Sequence, residues 1–176
     1  LALWHRLIDI DPPFFATLPV PVQMLERPEF VRDVKAILSR STIAKSSLHI
    51  ELSERYLMDH PEHAMHSLNG LIDLGTGLAV GEFGQGYSSL GYLERFPFQT
   101  IRLSRTITRP DPSGIRPAIL RSIVTLASEM DIDLIADGLE TESDVVQFSQ
   151  LGLAFGQGSV FGPALNTNDT RKLIKG

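Results

Sequence analysis

Acidic side chains recur just beyond short apolar runs in this sequence. Glu51 and Glu54 close Ser47-Leu48-His49-Ile50-Glu51-Leu52; Glu82 follows Gly77-Leu78-Ala79-Val80; Asp137 and Glu140 follow Asp133-Leu134-Ile135-Ala136. Each run reads as a buried strand, which puts each acid at or near a strand's C-terminal end. In a parallel α/β sheet or barrel that face carries the chemistry. Several carboxylates converging from separate strands are what hard cations such as Mg²⁺ need, because these ions take oxygen ligands. A two-metal centre would use them to activate water against a phosphodiester. Arg102, within the strand Phe98 to Leu103, adds a cation that could point inward, and Gln157 lies between Gly156 and Gly158. The same acids would also serve as helix caps and acceptors for loop amides. The residues alone leave both readings open.

The segment from Gly81 to Leu90, Gly-Glu-Phe-Gly-Gln-Gly-Tyr-Ser-Ser-Leu, is the sharpest local signal. Its glycines, Gly84 and Gly86 among them, allow a tight turn and close backbone approach. Tyr87 and Ser88 are candidate ligand contacts, although Ser88 or Ser89 as the N-cap of the following helix is the simpler reading. No histidine is placed to make Ser88 a nucleophile. His60, His63 and His66 recur at every third residue and so drift around a helix instead of sharing a face. They read as a solvated flank.

These residues need strands and helices to position them, and the chain alternates the two throughout. The expected helices open at Arg27 and run to about Ser39, then cover Pro61 to Leu74, Ile119 to Met130 and a stretch from Thr141; a small one starts near Asn168. Phe14 to Val22 is interrupted by Pro19 and Pro21 and reads as a short or irregular strand, since each proline removes a ladder donor. Arg109 to Pro117 reads as a proline-rich loop. In the helix from Ile119, the expected apolar positions are Ile119, Ile123, Leu126, Ala127 and Met130. Alternation of this kind argues for parallel pairing. About six strand–helix units fit an incomplete (βα)8 barrel, with an open doubly wound sheet as the alternative. The chain starts without Met inside an amphipathic pattern (Leu1, Leu3, Trp4, Leu7, Ile8), and Trp4 is expected to pack in the core or over one end of the barrel. The expectation is a single domain over residues 1–176, an N-terminally truncated piece of a longer protein.

Composition narrows the function classes. The chain of 176 residues is 43% hydrophobic with a net charge of -5, so it holds a proper core and lacks the basic stripe that duplex nucleic acid requires. It has no cysteine, which excludes disulfides, thiolate metal sites and cysteine nucleophiles. No apolar run approaches the length of about 20 residues that spans a bilayer, and no signal-peptide pattern stands at the start. A cytoplasmic setting is the expectation.

At these residues the sequence resembles the EAL domain family of bacterial cyclic di-GMP phosphodiesterases. Ile50-Glu51-Leu52-Ser53-Glu54 resembles that family's E-(L/V/I)-T-E strand end. Glu82-Phe83-Gly84-Gln85-Gly86-Tyr87-Ser88-Ser89-Leu90 with Tyr92-Leu93 resembles its D-D-F-G-T-G-Y-S-S-L-x-Y-L loop. Ile135-Ala136-Asp137-Gly138-Leu139-Glu140-Thr141 resembles V-A-E-G-V-E-T, and Gly156-Gln157-Gly158 with Phe161-Gly162-Pro163 resembles the GQG and FG-P ending. The resemblance implies a modified TIM barrel of EAL type with one antiparallel strand. It implies hydrolysis of cyclic di-GMP to pGpG with Mg²⁺ or Mn²⁺. It also implies Glu51 and Glu82 at metal-ligand positions, Arg102, Asp137 and Gln157 at catalytic positions, and Glu54 with Gly84 and Gly86 as the residues that steady the glycine loop. Tyr87, Ser88 and Glu140 are ligand-binding candidates.

The departures from the pattern shape the expected function. The Glu-Ala-Leu strand with its metal ligand is not in this chain. Pro19 stands where the family has a metal-binding Asn, Gly81-Glu82 replaces an Asp-Asp pair, Arg102 replaces a lysine, Ser104 replaces that motif's Asp, and Asp137 replaces a glutamate. The metal positions are therefore expected to be vacant, with no cofactor bound and Mg²⁺ or Mn²⁺ as the ion if any is. The leading expectation is a catalytically inactive EAL-like domain acting as a cyclic di-GMP receptor or regulatory interaction module. The alternatives are a protein interaction domain without nucleotide, and a residual cyclic di-GMP phosphodiesterase. A protein partner or a homodimer is expected through the glycine loop and its following helix.

Overall fold

The computed structural model describes residues 15–41, 44–59, 61–85, 90–109, 115–166, 168–170 and 172. These residues belong to two compact units, which divide after Arg102. Trp4, His60, Gly86, Tyr87, Ser88 and Ser89 lie outside the described residues, so the expectations placed on them stay as sequence expectations.

The first unit carries strands β1 (Ala16–Pro19), β2 (Leu48–Ser53), β3 (Gly77–Phe83) and β4 (Thr100–Leu103), hydrogen-bonded in that order. β1 pairs parallel with β2, bringing Pro19 opposite Glu51, and β2 pairs parallel with β3, bringing Ser53 opposite Gly81. β1 ends at Pro19, whose missing N–H is compatible with the start or edge of a ladder; the next amide, Val20, bonds the Glu51 carbonyl at 2.9 Å. β2 is buried on both faces: Ile50 and Leu52 are fully enclosed, and so nearly are His49 and Glu51. That is the mark of a parallel sheet covered on both sides.

Helices α1 (Val22–Leu25), α2 (Phe30–Leu38), α3 (Glu54–Asp59), α4 (Pro61–Asp73) and α5 (Gly91–Arg95) complete this unit. α4 seals its core with Leu68 and Leu71 and receives Val31 of α2 at Gly70, where a Cβ would stand 3.0 Å from the valine. Ser67 of α4 donates to the Leu25 carbonyl at 2.8 Å. Tyr92 and Phe96 each meet Phe98 edge to face.

The second unit carries α6 (Arg105–Thr108), α7 (Ile115–Glu129), β5 (Asp133–Asp137), α8 (Glu142–Gln150) and β6 (Phe155–Gln157). β5 and β6 are parallel, with Asp137 opposite Gln157. The β1–β2, β2–β3 and β5–β6 pairings are parallel, and the antiparallel strand that the resemblance implies is not among them. α8 starts on a reciprocal capping box: Thr141 accepts from the Asp144 amide while Asp144 accepts from the Thr141 amide.

Several local expectations are corrected. β3 runs through Glu82 to Phe83 instead of stopping at Val80. α7 begins at Ile115, so Pro117 lies in its first turn, where a missing N–H costs nothing because that amide has no intrahelical acceptor. The buried stripe of α7 is Leu120, Ile123 and Ala127, and Ile119 and Met130 are exposed. α3 and α6 are helices the periodicity did not reveal.

Candidate functional site

The C-terminal ends of β1 to β4 in the first unit border a cleft of about 300 Å³, lined by Pro19, Val20, Pro21, Val22, Glu51, Ser53, Gly81, Glu82 and Arg102. Strand alternation decides what enters it. On β2 the odd-numbered Glu51 shares a face with His49, opposite to Ile50 and Leu52. Parallel register then carries Glu51 between Pro19 on one side and Ala79 on the other, two residues short of the Ser53–Gly81 pair.

Glu51 is only 3% exposed, and its carboxylate is engaged. The Nε of Arg102 donates to Oε2 at 3.0 Å and to Oε1 at 3.2 Å, and the Nη2 donates to Oε1 as well. The guanidinium is itself largely enclosed, with 16% of its side chain exposed. Such a fork on a carboxylate is among the stronger charge-assisted contacts. Gly81 makes the room: a Cβ there would overlap Oε1 of Glu51 and stand 2.8 Å from its Cδ. Glu82, the next residue, is exposed and has φ 57. A left-handed conformation is costly for a residue with a Cβ, about 1–2 kcal/mol. It swings the Glu82 side chain outward while Phe83 turns back into the core.

Glu54 occupies a separate place below the glycine loop. It is 3% exposed, accepts the Gly84 amide at 2.8 Å and accepts the Tyr92 hydroxyl at 3.2 Å. Burial raises its pKa above the ordinary carboxylate value, against the pull of those two donors. Burial, together with the Glu54 charge, drives the Tyr92 phenol upward as well. Sequence reasoning overlooked Tyr92 as a partner. Its only signal was its place two residues after Leu90 on a helix whose buried face it opens.

In the second unit, Asp137 and Gln157 sit side by side at the ends of β5 and β6. The Thr108 hydroxyl donates to the Asp137 carbonyl at 2.7 Å, and the Gln157 carbonyl accepts the amides of Gly138 and Leu139. Gly158 lies so close to this turn that a Cβ would overlap the Leu139 carbonyl oxygen. Glu140 is exposed, and its amide is held by Asp144.

The donor set in the cleft does not fit a pair of divalent cations. Pro19 and Gly81 present no side-chain oxygen, both oxygens of Glu51 face a guanidinium, and Glu82, exposed at the rim, is left as a single carboxylate. Among the described residues no three histidine, aspartate or glutamate side chains gather as ligands would. No helix of the described residues is long and apolar enough to cross a membrane.

Parallel strands alternating with helices, with an acid-bearing cleft at the strand C-termini, define an α/β barrel-type protein. The chain belongs to the EAL domain family, whose model matches residues 1–164. It is 32% identical over 162 residues to the cyclic di-GMP phosphodiesterase RocR of Pseudomonas aeruginosa, covering 92% of this chain and 41% of that protein's length. Among solved structures it superposes on the EAL enzyme Bd1971 in its cAMP- and cyclic-di-GMP-bound form, with a TM-score of 0.81 and 28% identity over 92% of this chain and 43% of the other. It also matches a manganese and cyclic di-GMP complex of Klebsiella pneumoniae BlrP1, with a TM-score of 0.75 and 25% identity over 83% of this chain and 38% of the other. The fold is that of the EAL-type barrel over the part the chain spans.

Proposed function

We propose that this chain is a non-hydrolytic EAL domain, a regulatory module of cyclic di-GMP signalling in which the cleft is retained and the metal chemistry is lost. One observation carries the reading: of the strand-end positions that line the cleft, Pro19 and Gly81 have no side-chain oxygen to offer and the Glu51 carboxylate is taken by Arg102, which leaves Glu82, exposed at the rim, as the one uncommitted carboxylate among the lining residues. In-line attack on a phosphodiester needs the nucleophilic water activated and the leaving oxygen stabilised, and two bridging cations ordinarily supply both. Without their ligands the remaining residues hold shape: Glu51 and Arg102 brace β2 against β4, and Glu54 holds the Gly84 amide. What relatives bind supports the class of ligand, since Bd1971 and BlrP1 are both known as cyclic di-GMP complexes.

The test is incubation with cyclic di-GMP and Mn²⁺ or Mg²⁺, read by chromatography of the products. No pGpG is expected. Production of pGpG that Glu51→Ala abolishes would overturn the reading. Calorimetry with cyclic di-GMP then separates a nucleotide receptor from a module that acts only through protein contacts.

A further inference from the structure

The Glu51–Arg102 pair reaches further than the loss of a ligand. A carboxylate as enclosed as Glu51 needs a compensating charge, and leaving it bare costs several kcal/mol. In the cleft as it stands, Pro19 and Gly81 bring no charge from β1 and β3, and the Glu82 carboxylate of β3 is exposed at the rim, where water screens it. A divalent ion bound to Glu51 alone would carry an excess positive charge into that enclosure, whereas one guanidinium balances one carboxylate. Geometry agrees with charge. The planar fork of arginine grips both carboxylate oxygens, which the point charge of a lysine ammonium does not reproduce. The grip depends on Gly81, because any side chain there would occupy the space in which Oε1 and Cδ of Glu51 lie. The glycine and the arginine are thus two halves of one arrangement.

We propose that Arg102 is the resident cation of this cleft: its guanidinium replaces the divalent ion at Glu51, and Gly81 supplies the room. The buried Glu51 carboxylate is charge-balanced without metal, and whatever the cleft binds is bound independently of divalent ions. This rests on the non-hydrolytic reading of the cleft and adds what stands in the ion's place.

Thermal unfolding of the full chain in EDTA and in millimolar MnCl₂ tests it. The unaltered protein should melt at the same temperature in both. Arg102→Gln should lower the midpoint by about 10 °C, as Glu51 loses its partner, and MnCl₂ should restore part of the loss. Arg102→Gln combined with Glu51→Gln should lose that response to MnCl₂. Should Arg102→Gln fail to fold, Gly81→Ala remains decisive. With the arginine intact, its Cβ pushes the carboxylate away, and the midpoint should drop. An unaltered protein stabilised by MnCl₂ through Glu51, an Arg102→Gln variant blind to MnCl₂, or a Gly81→Ala variant as stable as the unaltered chain would each overturn the proposal. Formation of pGpG would sink the non-hydrolytic reading while leaving these midpoints where they are.

Discussion

The Glu54 carboxylate, at the first turn of α3, accepts the Gly84 amide at 2.8 Å, a bond between residues separated by 30 positions in the chain. Its other oxygen takes the Tyr92 hydroxyl. One buried acid therefore ties the entry of the glycine loop to the helix at its exit. Replacing it with Glu54→Gln turns one acceptor into an NH₂ donor facing donors. The expected loss is about 1–3 kcal/mol in urea unfolding, with faster hydrogen exchange at the Gly84 amide. Exchange equal to that of the unaltered chain would show that the loop is held by other contacts.

His49 predicts the acid limb of stability. Its ring stacks on Phe15 at 4.4 Å, its Nδ1 meets the Thr100 hydroxyl at 2.8 Å and its Nε2 meets the Ser46 carbonyl at 3.1 Å, with Gly77 pressed against the ring. A carbonyl only accepts, so Nε2 carries the proton of the neutral ring and Nδ1 accepts from Thr100. Burial lowers the pKa from the ordinary 6.5, outweighing the Ser46 bond, which pulls upward. The unfolded chain then takes up the proton before the folded one does. The stability supplied by neutral His49 is complete above about 6.5 and declines as the pH falls below it, toward the lower folded value. Denaturant midpoints between pH 7 and 5 should fall, and His49→Gln should flatten that slope. An equal slope in the variant would place the titration elsewhere.

Glu82 holds a left-handed backbone at φ 57 at the rim of the cleft. Glu82→Gly should relieve that strain, worth about 1 kcal/mol, less what glycine gains in unfolded-chain entropy. Stabilisation on unfolding in urea, or no change, is the expected result. A clear loss of stability would mean that the exposed carboxylate makes a contact worth more than the strain.

Thr141→Ala removes one half of the capping box of α8 and should cost about 1 kcal/mol. Asp144, whose carboxyl the Thr141 and Glu140 amides hold below its ordinary value, should titrate closer to that value in the variant. Two-dimensional NMR of the Asp144 side chain would register the change, and an unmoved titration would show the box to be dispensable.

Much of the element order was legible because the determinants were local. Ile50 and Leu52, or Leu134 to Ala136, are apolar runs too short for a helix, and both are fully or almost fully buried. Thr141 with Asp144 announced α8 in the same way. Short helices were not legible: α3 and α6 span too few residues to show a period, and Glu54 as the first residue of α3 looks like a strand-end acid until the helix is seen. The face of α7 was misread at Ile119 and Met130 because an apolar residue near a helix end satisfies the periodicity whether or not a neighbour covers it.

Residue identities alone determined the family likeness and its departures, since a proline or a glycine in place of an oxygen-bearing side chain is a fact of composition that no fold can reverse. Only the tertiary structure decided what fills the space so created. That Arg102 closes on Glu51 over the bare backbone of Gly81 depends on the register of β1 to β4. Register is set by packing between segments far apart in the chain, and no local pattern encodes it.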